Sequence, residues 1–538
     1  MDTWLRKWAM MVMLLSSIAG MRTTTLQPLI TVEFATIGLS YFNETKGSLP
    51  FSAPSQTIAV RDANQRYGHI FNFILRPRYE LSVETCLAAA DNAPHLVAEW
   101  FYGNHWATDT IPIVLLPGCI SAESLVVNYF AASENLLLIT STSAAPIIRD
   151  KQLSPTFVSM GRYTSAAYQA FYRSILTLYG WSSVYVLVDD SSVAIYQSVA
   201  EDFTKAAQAL PDRGQHLVVQ HIRTPTINVL QQSLALFRTK SRVMLFCGRA
   251  DRLRLLMVEA YKYNMTNGDY VYIAMENFIY TPFYGLMDWR YRDEKDEDAR
   301  EAFASLLLIR PVDFNESLTN NSTLSASEIS RLSLLDYNMS LPLADQPVQN
   351  FISAYLTISL TAEVLNRSYT LYGSSRLHSG VNLAEMFMNQ TFSTEFGEVS
   401  LDEAGERIVG LTLSHWDPSA NTFQPFLLQP PDAVGFLRLL QNISWVEGKQ
   451  WPVPNEPVCG YSGLSWRCRS DVLLRAILPT IFVITCLCLA VFCYICYARF
   501  SREHLADRQT WWRLDNLHLT ERRLPINQGL NSCSYSTN

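Results

Sequence analysis

The chain alternates between short, uninterrupted apolar runs and longer stretches in which apolar positions recur every three or four residues. Val184-Tyr-Val-Leu-Val188 is one such run, and Tyr196, Val199, Phe203, Ala206 and Leu210 follow it at helical spacing. A strand buried on both faces of a parallel sheet is apolar throughout, and a 3.6-residue period marks the helix packed against it. Val243 to Cys247 repeats the scheme with Leu253, Leu256, Ala260 and Tyr263, and Ile113 to Leu116 and Leu136 to Ile139 are further strands. This alternation predicts the α/β class with doubly wound parallel sheets. Between Pro311 and Pro347 the rhythm stops. That stretch is rich in Ser and Asn and reads as an exposed insertion loop.

Two longer apolar segments set the topology. Arg6 and Lys7 precede an uncharged run from Trp8 to Ile18, with Ser17 and Ala19 placed for cleavage before Gly20. This is the pattern of a secretory signal peptide, residues 1–19. Ala476 to Ala498 is 23 residues without a charge, bracketed by Arg475 and Arg499. At 1.5 Å per residue it reaches about 35 Å, enough to cross a hydrocarbon core of about 30 Å. The expected arrangement is a single transmembrane helix with the N-terminal part outside, at the plasma membrane. Nine Asn-x-Ser/Thr sequons, at Asn43, Asn264, Asn315, Asn320, Asn321, Asn338, Asn366, Asn389 and Asn442, all precede the span, as a glycosylated ectodomain requires.

Composition narrows the function classes. With 538 residues, 12% aromatic, 17% charged and a net charge of −7, the chain is neither low-complexity nor a basic nucleic-acid binder. Five cysteines precede the span, Cys86, Cys119, Cys247, Cys459 and Cys468, so at least one is unpaired or bonded between chains. Cys459 and Cys468 enclose a short Gly-containing segment, and pairing them would staple the stalk. Cys247 ends an apolar strand and reads as a buried thiol. No close cysteine pair has histidines nearby, so no metal site is expected. In doubly wound sheets ligands sit beyond the carboxyl ends of the strands. Those ends carry the cleft candidates Ser141, Thr142, Ser143, Asp189, Asp190, Asp251, Glu276 and Asn277. Ordinary loop and helix-cap chemistry accounts for most such residues, and about a third are expected to touch ligand.

Several stretches resemble one family in register. Leu116-Pro-Gly-Cys-Ile-Ser-Ala-Glu123 with Cys86 upstream, and Met265-Thr-Asn-Gly-Asp-Tyr-Val-Tyr-Ile273, are similar to the natriuretic-peptide receptors and receptor-type guanylyl cyclases. So are the acidic run Asp293 to Phe303, the segment Phe396 to Arg407 and the loop Cys459-Gly-Tyr-Ser-Gly-Leu-Ser-Trp-Arg-Cys468. The resemblance implies a type I periplasmic-binding-protein-like ectodomain of two α/β lobes joined by three crossings, dimeric on the membrane. It implies Cys86–Cys119 and Cys459–Cys468 bridges. It also implies a bound chloride at Gly118 and Cys119, with Ser82 as the accompanying serine. The expected domains are then a ligand-binding region over 20–458, a disulfide stalk over 459–475, the span over 476–498 and a cytoplasmic tail over 499–538.

The chain departs from the family at two places. Cys247 stands alone, and Ser393-Thr394 replaces a glycine near the late hairpin, so peptide contacts do not transfer. The acidic run by itself reads as a solvated helix start, its carboxylates near the positive end of the helix dipole. Trp100 and Trp106, between the first two cysteines, are candidates for a dimer face.

The tail of 40 residues is too short to enclose a catalytic core and contains no phosphate loop or kinase motif. His504 to Leu517 nevertheless resembles the segment that leads into the kinase-homology region of receptor cyclases. Three readings follow. One is a ligand-binding single-pass receptor without an enzyme of its own, taking a peptide or small molecule and pairing with itself or with a receptor guanylyl cyclase. The second is the receptor half of a longer guanylyl cyclase. The third, an ectodomain hydrolase, finds no nucleophile–base or paired-carboxylate pattern in support.

Overall fold

The apolar runs become strands in the computed structural model, which describes residues 29–40, 47–104, 110–118, 121–142, 146–210, 217–312, 324–341, 348–462 and 465–510. The first lobe alternates β1 (Ile30–Ile37), α1 (Leu49–Tyr67), β2 (Phe71–Arg78), α2 (Cys86–Gly103), β3 (Thr110–Leu116), α3 (Ser121–Ser133), β4 (Leu137–Thr140) and β5 (Phe157–Ser159). Its five strands pair in parallel in the order β2-β1-β3-β4-β5.

The second lobe repeats that winding. It contains α4 (Ser165–Tyr179), β6 (Val184–Asp189), α5 (Ile195–Gln208), β7 (Leu217–Ile222), α6 (Ile227–Lys240), β8 (Val243–Cys247), α7 (Ala250–Lys262), β9 (Val271–Met275), α8 (Asp296–Phe303) and β10 (Leu306–Val312). The order β7-β6-β8-β9-β10 matches the first lobe strand for strand. The chain then returns to the first lobe with α9 (Ala326–Tyr337), α10 (Val348–Tyr372) and α11 (Gly380–Glu385), and the small sheet β11 (Thr391–Thr394), β12 (Gly397–Leu401) and β13 (Arg407–Ile408). It crosses once more to add β14 (Gly410–Asp417), β15 (Thr422–Gln429) and β16 (Arg438–Leu439), antiparallel beside β10. The lobes are therefore joined by three crossings: residues 160–164, the stretch between β10 and α9, and Val409.

Strand alternation decides the layers. Val32 and Phe34 of β1 face α1 and α10, whereas Ala35 and Ile37 face α2 and α3. In the second lobe, Val186 and Val188 face α4 and α5, and Tyr185 and Leu187 face α6 and α7. The faces carrying α1, α10, α4 and α5 belong to one continuous apolar cluster that runs through both lobes. That shared core makes residues up to Pro457 a single compact unit.

The stretch expected to be a loop between Pro311 and Pro347 contains α9. Ile329, Leu332 and Ser333, at i, i+3 and i+4, are buried, and α9 packs on α1 with Glu328 reaching Arg61 at 3.7 Å. Three apolar positions among serines were too few to show as a helical period. The expected dimer-face Trp100 is likewise corrected. It is 2% exposed in the core and donates its indole N–H to Glu33 at 2.8 Å. Trp106 lies outside the described residues.

The late hairpin is clamped to the first lobe. Ser159 at the end of β5 bridges Glu406, and its N–H donates to Gly405 O at 2.9 Å. Arg149 donates to Asp402 (2.6 Å), Glu403 (2.8 Å) and Glu406. Lys151 beside them donates to Phe157 O at 2.7 Å. Burial lowers the Lys151 ammonium to about 8, against the pull of Glu406 and Asp402.

A second unit begins at Val458. Cys459 and Cys468 are bonded, with Cα atoms 5.4 Å apart, and α12 (Trp466–Thr510) follows. Within α12, Ile477–Leu505 is the segment long and apolar enough to cross a membrane, with Pro479 near its start.

Two stability predictions follow. Trp181, fully buried, donates to Val453 O at 2.9 Å and meets Trp451 edge-on at 5.9 Å, so it fastens the end of the ectodomain. Trp181→Ala is expected to cost about 3–5 kcal/mol, read by urea denaturation. Lys151 binds its proton more weakly folded than unfolded, so the unfolded chain holds more protons between about 8 and 10.5. Stability therefore rises with pH across that window, and Lys151→Met flattens the rise.

Candidate functional site

Both lobes share the 2-1-3-4-5 strand order, so each has a switch point between its first and third strands where a crevice opens at the carboxyl ends. In the first lobe the crevice lies between β1 and β3. Thr140 donates its hydroxyl to Leu116 O at 2.9 Å and accepts from Thr142 N–H at 3.3 Å, while Ser141 N–H donates to Leu116 O at 3.3 Å. Gly118 has φ +70, and a Cβ there would lie 2.3 Å from Thr142 Oγ1. Ser141 and Thr142 are thus half-buried parts of a turn tied to the end of β3. Ser143 and Cys119 lie outside the described residues.

The second-lobe crevice, between β6 and β8, is drawn shut by its own polar groups. Asp189 is buried, and its carboxylate accepts from Ser191 N–H (3.0 Å), Ser191 Oγ (2.5 Å) and Ser192 Oγ (2.8 Å). Ser192 Oγ in turn accepts from Arg249 N–H at 3.1 Å. Both carboxylate oxygens of Asp189 are thus engaged by the turn that follows β6. Asp190 pairs with His221 Nδ1 at 2.8 Å, Asp251 with Arg249 Nε at 2.9 Å, and Glu276 with Arg310 Nε at 2.6 Å.

Asn277 is committed to the crossing between the lobes. Its carbonyl accepts from Arg162 at 2.8 Å and its Oδ1 from Tyr168 OH at 3.0 Å. Arg162, Tyr163 and Tyr168 belong to the segment that leaves β5, so these bonds tie the end of β9 to the first crossing. Tyr163 donates to buried Asp202 at 2.5 Å, and Gln169 donates to its other oxygen at 2.7 Å. Burial pushes the Tyr163 phenol well up, so it stays protonated and donating.

Between the lobes the space is filled by aromatic rings. Phe51, at the start of α1, meets Tyr280 of the second lobe edge-on at 6.0 Å and stacks on Phe351 at 6.3 Å. Tyr280 packs on Phe283, and Phe278 packs on Tyr284. Phe51 and Tyr280 are each at most 2% exposed. The cluster draws on the aromatic-rich stretch that follows β9, which carries Phe278, Tyr280, Phe283 and Tyr284 within seven residues. Nothing in the sequence marked Phe51 or Arg162, because single residues at turns carry no period.

The other candidates divide as follows. Cys86 is disulfide-bonded. Cys247 is a fully buried free thiol, and burial pushes its pKa up. Ser82 donates its hydroxyl to Glu80 at 2.7 Å, and a carboxylate beside it does not suit an anion site. Of the two residues expected at the chloride, Gly118 is described and Cys119 is not. Asn264, Asn338, Asn389 and Asn442 are exposed and Asn366 is half-buried, whereas Asn43, Asn315, Asn320 and Asn321 lie outside the described residues. The acidic run is anchored by ion pairs. Buried Arg254 donates to Asp293 (2.6 and 2.9 Å) and to Asp296 (2.7 Å), holding the Asp293 carboxyl below its ordinary range.

A ligand-binding region common to a receptor family matches residues 59–419. A receptor-type guanylate cyclase of Caenorhabditis elegans is 27% identical over 281 residues, 51% of this chain and 21% of that protein. Atrial natriuretic peptide receptor 3 of Bos taurus is 30% identical over 174 residues, 32% of this chain and 30% of the relative. Atrial natriuretic peptide receptor 2 of Homo sapiens is 26% identical over 267 residues, 46% and 24% respectively. The matches thus span about a fifth to a third of the length of these relatives.

The burial of Cys247 predicts its chemistry. In the native protein it is expected to resist alkylation and to label only on unfolding, and non-reducing peptide maps are expected to return it unlinked. A bridge from Cys247 to Cys86 or Cys459 would overturn the assignment.

Proposed function

This chain belongs to the receptor family that carries this ligand-binding region, and from that premise we propose that it is a single-pass receptor at the cell surface. Its two-lobed region lies outside and takes an extracellular peptide or small molecule, and its C-terminal residues lie in the cytoplasm. It works without catalysis of its own, either passing lobe movement to a partner chain or removing ligand. The observation that carries the reading is the pair of identically wound lobes, joined by three crossings, in a chain that also has an apolar helix long enough to span a bilayer.

The partner is a second copy or a receptor guanylyl cyclase. Exposed apolar side chains on two adjacent helices support a dimer face: Leu87 and Tyr102 on α2, Val126 and Tyr129 on α3. Phe101 and Phe130 pack edge-on at 5.9 Å between these helices and hold them as one surface. A Cys86–Cys119 bridge next to this face and a chloride at the Gly118 turn are parts of the same proposal.

A second reading, the ligand-binding half of a longer receptor guanylyl cyclase, is favoured by the resemblance of His504 to Leu517 and by the cyclase relative that matches half of the chain. Sequencing of full-length transcripts separates the two.

The full chain in detergent is expected to have the mass of a dimer by light scattering, or to associate with a cyclase ectodomain. Leu87→Asp with Tyr129→Asp is expected to give monomers with unchanged thermal stability. Membranes expressing the chain are expected to make no more cyclic GMP than control membranes. A wild-type protein that stays monomeric at high concentration and ignores the cyclase ectodomain would sink the dimeric reading.

A further inference from the structure

Beyond the filled interlobe space, the second lobe has an open cavity of about 570 Å³ where β8 and β9 end. That volume falls in the range of small-molecule sites, and the place is where parallel sheets receive ligands. Its wall is built by Arg249 and Asp251 on one side and by the segment from Thr281 to Arg292 on the other.

The charges on this wall are unevenly committed. Arg249 is engaged through Nε on Asp251 and through one terminal nitrogen on the carbonyls of Pro282 (2.7 Å) and Phe283 (3.0 Å). Arg290 rests on the Trp289 ring at 4.9 Å, and Arg292 has φ +62. Among the described residues neither guanidinium takes part in an ion pair or donates a side-chain hydrogen bond. Asp288 accepts only the N–H of Arg290, at 3.1 Å. The pocket therefore offers two uncommitted cations against one carboxylate, within an ectodomain (residues 20–475) whose net charge is −10.

The two arginines stand on a fixed backbone. Asp296 accepts from the N–H groups of Tyr291 (2.8 Å) and Arg292 (2.9 Å), and Asp296 is itself held by buried Arg254. Arg254 also lies over the Tyr291 ring at 4.5 Å and takes Trp289 O at 2.7 Å. In the same segment Gly285, at φ +77, lets the loop press against the start of α7, since a Cβ there would lie 2.7 Å from Asp251 Oδ1.

We propose that this cavity binds a ligand bearing an oxyanion, a carboxylate, phosphate or sulfate group, held by the Arg290 and Arg292 guanidiniums. Paired guanidinium N–H groups match two oxygens of such a group, and charge-assisted bonds of this kind are among the strongest available to a partly exposed site. Asp288 sets what else the ligand carries, favouring a hydroxyl or ammonium beside the anion. The proposal rests on the ligand-binding reading of the ectodomain and names the ligand class. The loop that lines the cavity also carries Tyr280 to its contact with Phe51, so an occupant braces the segment that holds the lobes together.

The test is thermal unfolding of the full glycosylated chain in detergent, titrated with sodium phosphate, sodium sulfate or sodium succinate against sodium chloride at matched ionic strength. At least one oxyanion is expected to raise the midpoint saturably, by roughly 2–5 °C. The rise should vanish in Arg290→Ala with Arg292→Ala, while Arg376→Ala, which removes an exposed arginine elsewhere, keeps it. The anion that acts at the lowest concentration separates a carboxylate from a phosphoryl or sulfuryl group. A linear rise shared by all variants, as excluded salts produce at any surface, or no rise above chloride, overturns the proposal. The dimer measurement does not involve these arginines, so the pocket can fail while the receptor reading stands.

Discussion

The contact of Phe51 with Tyr280 is the constraint on which the arrangement of the two lobes depends. Phe51 comes from the first turn of α1 and Tyr280 from the loop after β9, both at the carboxyl end of a parallel sheet, the place where such folds leave room for a ligand. Here the room is taken by the protein itself, with Phe351 behind Phe51 and Phe283 behind Tyr280. Arg162 and Tyr168, both bonded to Asn277, fix the loop that carries Tyr280 at its point of departure from β9. Three covalent crossings would permit a hinge, whereas the ring contact and the hydrogen bonds to Asn277 define one closed setting of it.

The fold was legible in the sequence because its signals are long. Strands buried on both faces appear as unbroken apolar runs, and β3, β4, β6 and β8 emerge within a residue or a few of where Ile113, Leu136, Val184 and Val243 placed them. The helix α9 was not legible, since its buried face consists of Ile329, Leu332 and a serine. Trp100 was misplaced for a related reason. An aromatic between cysteines looks like a surface anchor until its indole is found to have a half-buried partner, Glu33, 67 residues away.

The candidate site was legible as a place but not as chemistry. The strand-end rule placed Asp189, Asp251, Glu276 and Asn277 at or just beyond the ends of β6, β8 and β9, yet each of the four has a side-chain oxygen engaged by a neighbour. Sequence reports which polar residues lie at a strand end, whereas availability depends on whether a serine two residues on, or an arginine on a distant strand, has already satisfied them. The same limit applies to the acidic run. Its carboxylates do begin a helix, as the charge pattern implied, but Asp293 and Asp296 also clasp Arg254, about 40 residues earlier in the chain.

The energetics of the ring contact bear on where a ligand can act. Parting the lobes far enough to free Phe51 and Tyr280 exposes on the order of 300 Å² of aromatic surface, at a cost of roughly 7 kcal/mol. A ligand needs a differential affinity of about 5.5 kcal/mol to turn a 1:99 equilibrium into 99:1. The ring contact therefore opposes opening, and a molecule that must enter between the rings would spend binding energy on parting them. A ligand that engages the outer wall of the same loop, or the outer faces of the lobes, meets no such cost. It shifts the equilibrium by its differential affinity for the two settings of the loop alone. The oxyanion site proposed at Arg290 and Arg292 is of this second kind, on the segment that follows Tyr280.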